Sequence, residues 1–265
     1  MTAKITKITA QKRPGRYNIF LDGQYALPVS EDVLIQFGLM KGQEVDNELK
    51  QKLLVADANS QAHELALNYL SYQLRTVKEM QTYLRDHDIA AATIETIIGQ
   101  LIEQKYLDDA EYAKAYVRTN MILHEKGRIV LERELKQKGV GPTEIADALT
   151  LYDTETTLEN GTKLAQKTWQ RQAKLAQRVR QQKVRQTLQQ KGFTGDEITM
   201  IFDQLDFSVD PEDERDILNV TAEKLVRRYQ PLSDLKQKQK FKQALVRKGF
   251  SFDDISRWLE EHPEA

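Results

Sequence analysis

The chain contains no cysteine. That removes disulfides, thiolate metal sites and thiol nucleophiles together. Only 6 prolines and 12 glycines occur in 265 residues, which excludes collagen-like and low-complexity architectures. No long apolar run is present and the mean hydropathy is −0.60, so no membrane span is expected. The N-terminal stretch MTAKITKITAQKR interrupts its apolar residues with charges and lacks a signal-peptide core. A soluble cytoplasmic protein is expected. An excess of either charge is missing too. Lys and Arg number 39, Asp and Glu 40, and the net charge is −1. Such a total argues against indiscriminate polyanion binding by the whole surface.

Catalytic motifs are also absent. The four histidines, His63, His87, His124 and His262, are scattered, with no second ligand at metal spacing. Gly192-Phe193-Thr194-Gly195 lacks the lysine and the strand of a phosphate loop. The acid pairs Asp108-Asp109, Asp196-Glu197 and Asp253-Asp254 fall where helices start, and there a carboxylate serves the helix dipole. Trp169 and Trp258 read as core residues on helical faces. No enzyme, metal or cofactor is expected.

What is present divides into two regimes. Residues 1–45 carry strand signals. Lys4–Gln11 is rich in β-branched residues, and Tyr17–Leu21 and Gln24–Leu27 flank Asp22-Gly23, a strong hairpin turn. A three-stranded meander is expected, packed on a short helix capped by Ser30 and ended by Gly38. From about residue 46 onward the apolar spacing is helical, as in Ile94, Ile97, Ile98 and Leu101.

The helical part repeats. Leu135-Lys-Gln-Lys-Gly-Val140 returns as Leu188-Gln-Gln-Lys-Gly-Phe193 and Leu245-Val-Arg-Lys-Gly-Phe250, with a degenerate first copy at Leu84-Arg-Asp-His-Asp-Ile89. In this phrase Leu closes a helix core. Gly139, Gly192 or Gly249 ends the helix left-handed, and Val140, Phe193 or Phe250 folds back. Ser60, Thr76, Asp108 and Asp210 offer helix starts, with capping boxes at Thr76/Glu79 and Thr194/Glu197. The expected fold is mainly α: tandem three-helix repeats in an elongated, curved array, with a small N-terminal β-meander. The expected boundaries are 1–56 for the meander and short helices, then repeats at 57–105, 106–152, 153–206 and 207–265.

Charge is segregated along this array. No acid lies between Glu159 and Asp196, an interval that holds Lys163, Lys167, Arg171, Lys174, Arg178, Arg180, Lys183, Arg185 and Lys191. The first five would form one stripe on an unbroken helix, with a break suspected near Gln172–Lys174. Lys236, Lys238, Lys240 and Lys242 stand in a second basic run, and Lys4, Lys7, Lys12, Arg13 and Arg16 in a third. Acids gather at 144–159 and at 203–216. Glutamines interleave the repeat-three cations, so internal ion pairs do not relieve them. An anionic surface would, either phosphates or the acidic face of a protein.

Lys105-Tyr106-Leu107-Asp108-Asp109-x-x-Tyr112-Ala113-x-x-Tyr116-Val117, followed by Gly127-Arg128-Ile129-x-x-Glu132-x-Glu134-Leu135-x-x-Lys138-Gly139-Val140, resembles the RecX family of bacterial RecA regulators. The resemblance covers about residues 60–265. The meander looks like the extension of longer Gram-positive members, and Asp88-Ile89 departs from the Gly-Phe pattern. The resemblance implies a non-enzymatic regulator that binds RecA, lies along the RecA–DNA filament, limits its growth and ATP-dependent strand exchange, and in some members binds DNA. It supplies no catalytic residues.

The anionic contacts are therefore expected at Lys163, Lys167, Arg171, Lys174, Arg178, Arg180, Lys183 and Arg185, then at Lys236, Lys238, Lys240 and Lys242. They would face RecA or single- or double-stranded DNA, from a monomer. The rival readings are a DNA-binding architectural protein that acts without RecA, and a pure protein-interaction scaffold.

Overall fold

The computed structural model describes residues 2–123 and 126–263. The chain divides into two units, Met1–Ala113 with Lys136–Glu144, and Lys114–Leu135 with Ile145–Ala265. The fold is mainly helical and carries a small N-terminal sheet.

In the first unit, β1 (Ala3–Ala10), β2 (Arg16–Leu21) and β3 (Gln24–Ser30) form the antiparallel meander. Asp22 and Gly23 take φ of +47° and +87°, which suits the twist of a tight hairpin. A short fourth strand, β4 (Glu44–Val45), pairs with Ala3 and Lys4, so the sheet order is β3-β2-β1-β4. So small a sheet needs cover. It buries Ile5, Ile19, Leu27 and Val29 against Val33 of α1 (Glu31–Gln36) and against Leu53. The Ser30 side chain accepts the Val33 N–H, as its position predicts.

The helix expected to begin after Ser60 does not begin there. α2 runs unbroken from Asn47 to Leu70, and Asp46 caps it by accepting the Leu49 N–H. No glycine or proline interrupts that stretch, and one serine in the middle of a helix is a weak breaker. α2 serves two cores. Leu53 packs under the sheet, while Ala62 and Ala66 pack with Met80, Leu84, Ile97 and Leu101. Nine residues of helix separate Leu53 from Ala62, about half a turn in phase, so opposite faces are used. Asp57, 5% exposed, follows Leu53 on the sheet side. It receives Arg16 through both oxygens, the Ser30 N–H and the Gln61 amide.

The remaining helices come in groups. α3 (Val77–Asp86) and α4 (Ala91–Glu103) complete a three-helix core with the C-terminal half of α2. Then follow α5 (Asp109–Leu123), α6 (Arg128–Gln137) and α7 (Pro142–Leu149). In the second unit, α8 (Thr154–Arg171), α9 (Gln177–Gln190) and α10 (Gly195–Asp203) share a core with Phe207. α11 (Pro211–Tyr229), α12 (Leu235–Arg247) and α13 (Phe252–Glu261) share another, built on Phe241, Leu245 and Trp258. Both capping boxes are present, at Thr76/Glu79 and at Thr194/Glu197.

The recurring turn has two functions. Gly139, Gly192 and Gly249 take φ of +88°, +90° and +98°. Phe193 N–H then bonds the Leu188 carbonyl and Phe250 N–H that of Leu245, closing the helix ends. Each glycine is also crowded. A Cβ would stand 2.6 Å from Lys78 Cβ at Gly139, 2.5 Å from Val130 N at Gly192 and 2.6 Å from Val179 Cγ2 at Gly249. Lys78, Val130 and Val179 lie in the first turns of α3, α6 and α9. Each turn therefore seats on the start of the middle helix of the group before it. The first copy has no such duty. Asp88 is exposed, takes φ +59°, and still lets Ile89 N–H reach the Leu84 carbonyl. Aspartate tolerates that conformation where its side chain has room.

Candidate nucleic-acid interface

α8 and α9 bring the repeat-three cations together. Lys163, Lys167 and Arg171 climb one flank of α8, about 6 Å apart per step along the axis. With Lys191, the C-cap of α9, they line a cleft of about 320 Å³. Leu123, Leu164, Thr168 and Thr187 complete its walls. Arg171 and Lys191 lie at helix C-termini, where the carbonyl ends of the dipole favour positive charge. Lys163 reaches Glu159 at 2.5 Å, but that pair is solvent-exposed and contributes little. Lys167, Arg171 and Lys191 form no salt bridge among the described residues.

The cleft is held from behind. Gly127 N–H bonds the Lys191 carbonyl at 2.7 Å, and Ile129 N–H bonds that of Gly192 at 3.2 Å. The residue at 127 must be small, since a Cβ there would lie 2.6 Å from Gly192 C. Lys126 just before it is anchored by Glu134 at 2.9 Å and by the Tyr116 hydroxyl at 3.2 Å. Burial alone would lower the Lys126 pKa, but the bonds to Glu134 and Tyr116 overcome this and raise it. Burial likewise opposes ionisation of Glu134, yet Tyr116 and Lys126 lower its pKa. The Tyr152 hydroxyl donates to the Lys126 carbonyl, and Asn160, fully buried, donates to the Tyr152 hydroxyl. Inside α8, Gly161 and Ala165 give space to Ile201 and the core.

Not every expected cation joins the cleft. α8 ends at Arg171 and residues 172–176 form a loop, so Lys174 leaves the stripe while staying exposed. Arg178, Lys183 and Arg185 are exposed on α9, with Arg185 4.0 Å above the Phe202 ring. Arg180 is a correction. It is 9% exposed, its Nε donates to the Trp169 carbonyl at 3.0 Å, and its guanidinium stacks 3.8 Å from the Trp169 ring. Burial lowers its pKa. Its neighbours in sequence give no sign of this, because the partner lies eleven residues upstream on another helix.

Lys236, Lys238, Lys240 and Lys242 do not line the cleft. They split over α12: Lys236 and Lys240 share one face, and Lys238 and Lys242 lie roughly opposite. Lys242 rests 4.8 Å above the Phe252 ring. Three of the five cations in the N-terminal basic block are paired with acids. Lys4 meets Glu44, Arg13 meets Glu64 and Arg16 meets Asp57. Lys191, Thr168 and Thr187 are additions to the expected contacts. Lys191 stands inside the turn phrase, where its sequence context is that of a helix end.

The cleft has the chemistry of an anion site. Its ammonium and guanidinium groups make charge-assisted bonds to phosphate or carboxylate oxygens. It holds no acid–base pair or nucleophile arrangement. Among the described residues no group of His, Asp and Glu could hold a metal ion, and no helix is long and apolar enough to cross a membrane. His87 and His262 bond the carbonyls of Tyr83 and Trp258 within their own helices. His124 lies outside the described residues.

Comparison with known proteins matches the chain along most of its length. The RecX N-terminal domain matches residues 3–46, and the first and second three-helix domains of RecX match 62–101 and 108–149. The third three-helix domain matches twice, at 155–202 and 212–259. The chain belongs to the RecX family. A regulatory protein RecX of Levilactobacillus brevis is 46% identical over 263 residues, covering 99% of both chains. That of Bacillus subtilis is 37% identical over 258 residues, covering 97% of this chain and 98% of its own. A crystal structure of regulatory protein RecX superposes with a TM-score of 0.67 at 45% identity, covering 76% of this chain and 99% of that one. A RecX structure from Lactobacillus salivarius gives 0.54 at 41% identity, covering 58% and 99%. RecX proteins are non-enzymatic regulators, in keeping with a site built to bind rather than to react. The N-terminal sheet, expected as the extension of longer members, coincides with the RecX N-terminal domain match.

Proposed function

We propose that this RecX-family chain regulates RecA by lying along the RecA–DNA filament and limiting its growth and ATP-dependent strand exchange. The repeat-three cleft engages the phosphate backbone. Lys174, Arg178, Lys183 and Arg185 extend that contact, and the repeat-four lysines add a second patch. The observation that carries this reading is the convergence of Lys163, Lys167, Arg171 and Lys191 on one cleft. A few weak phosphate contacts, repeated over tandem units, combine through avidity. The chain acts as a cytoplasmic monomer with repeats near 57–105, 106–152, 153–206 and 207–265.

The test is RecA ATP hydrolysis on single-stranded DNA. Substoichiometric protein should inhibit it, and joint reversal of Lys163, Lys167, Arg171 and Lys191 to Glu should relieve the inhibition. Absence of inhibition by the native chain in a matched assay would sink the proposal. Inhibition that survives the reversal would assign the cleft no part in it.

A further inference from the structure

The repeat-three cleft contains more than charge. Leu123 and Leu164 stand among its cations, and no carboxylate lines it among the described residues. Leu164 is half-buried and packs on the repeat-three core. Leu123 differs. α5 buries Ala113, Val117 and Asn120, each at most 5% exposed, whereas Leu123 ends the helix 57% exposed. Folding alone gains little from a leucine left so open to water. A large exposed apolar side chain inside a cationic cleft suits a ligand that is anionic at one point and apolar at the next.

A nucleic-acid strand is such a ligand only where its bases are unstacked. A duplex keeps base faces inside its stack and offers the cleft phosphates and sugars. A single strand can splay a base out, and its π-face then covers an apolar side chain while the flanking phosphates reach cations. An acidic peptide would satisfy the cations but brings no flat apolar group fixed between its charges. Reading a base edge takes a side chain with paired donors and acceptors, such as Asn or Gln. None lines the cleft, and Thr187 gives its hydroxyl proton to the Lys183 carbonyl at 2.8 Å. Granted the phosphate contact proposed above, we propose that the cleft seats one unstacked base of single-stranded DNA against Leu123, without regard to its identity. Leu123 thereby makes a contact with a single strand that a duplex does not make.

The test is fluorescence anisotropy on the full chain, without RecA, using ligands of equal length. They are a thymine single strand, an abasic strand with the same phosphates and no bases, and a duplex. The native chain should bind the thymine strand about fivefold tighter than the abasic strand. Leu123→Ser should erase that difference and leave the abasic strand and the duplex bound as before, while Leu123→Met should preserve it. Helical circular dichroism should match the native chain in both variants, and the native comparison of the two single strands needs no variant at all. Equal affinity of the native chain for those strands overturns the base seat and leaves the phosphate contact standing. Affinities that survive joint replacement of Lys167, Arg171 and Lys191 by Ala overturn both. Equal weakening of duplex binding by Leu123→Ser overturns the proposal, and so does hexaglutamate that displaces the thymine strand as well as unlabelled thymine strand does.

Discussion

Two basic blocks of similar appearance meet opposite fates in this chain. The N-terminal one commits its central charge to the fold: Arg16 is clamped on buried Asp57, while Arg13 and Lys4 meet Glu64 and Glu44 in solvent-exposed pairs. The repeat-three one keeps Lys167, Arg171 and Lys191 around an open cleft, without salt bridges among the described residues. A run of cations in a sequence therefore says little until its partners are placed. The acid that neutralises Arg16 is forty-one residues away, beyond any local pattern. What marks the repeat-three block is the acid-free interval around it, and that feature is readable without coordinates.

The contrast can be broken most forcefully at Asp57. Asp57→Ala leaves the Arg16 guanidinium buried and unpaired, and should cost about 3–5 kcal/mol in urea unfolding. A cost near zero would mean that the N-terminal cation is as free as those of repeat three. Arg180→Ala tests the exception inside the basic block. It should destabilise by about 2 kcal/mol, through lost stacking on Trp169 and a lost charged hydrogen bond, while leaving DNA affinity unchanged. Arg178→Ala should do the reverse. Joint neutralisation of Lys167, Arg171 and Lys191 to Ala should leave stability within about 0.5 kcal/mol. It should lower the slope of log affinity against log salt for single-stranded DNA by about 2.

The smallest effect concerns acid. Glu79 and Glu134 have pKa values lowered from 4.5; burial opposes this, but Lys138 and Thr76 at Glu79, and Tyr116 and Lys126 at Glu134, prevail. A lowered carboxylate stabilises the fold above its unfolded pKa, and that contribution disappears as pH falls through the folded value. Thermal melts should therefore show Tm falling below about pH 4.5, and Glu134→Gln should flatten that limb by under about 1 kcal/mol.

Local chemistry makes much of the fold legible. The Asp22-Gly23 hairpin, the two capping boxes and the Lys-Gly-apolar turn are each decided within a few residues, and each stands where its pattern puts it. The features that escape depend on distance. Gly139, Gly192 and Gly249 read as helix ends, yet their second function, admitting the start of another helix, is set by residues about sixty to seventy positions away. Ser60 has the look of a cap because caps are short motifs, while the continuity of α2 comes from the two cores it joins. In the candidate site, the α8 stripe follows from helical spacing, the loss of Lys174 from a suspected break, and the burial of Arg180 from nothing local.

The shared helix has a further consequence. Most modular proteins can be cut and rejoined at linkers, where length is cheap and rotation is free. α2 offers no such joint between the sheet and the first repeat, because Leu53 and Ala62 belong to one rod. One residue inserted between them would turn one core against the other by about 100°. Evolution or a protein engineer can exchange these two parts only by a splice that keeps helical phase. The N-terminal sheet and the first repeat are thus locked in rotational phase about a single helix axis.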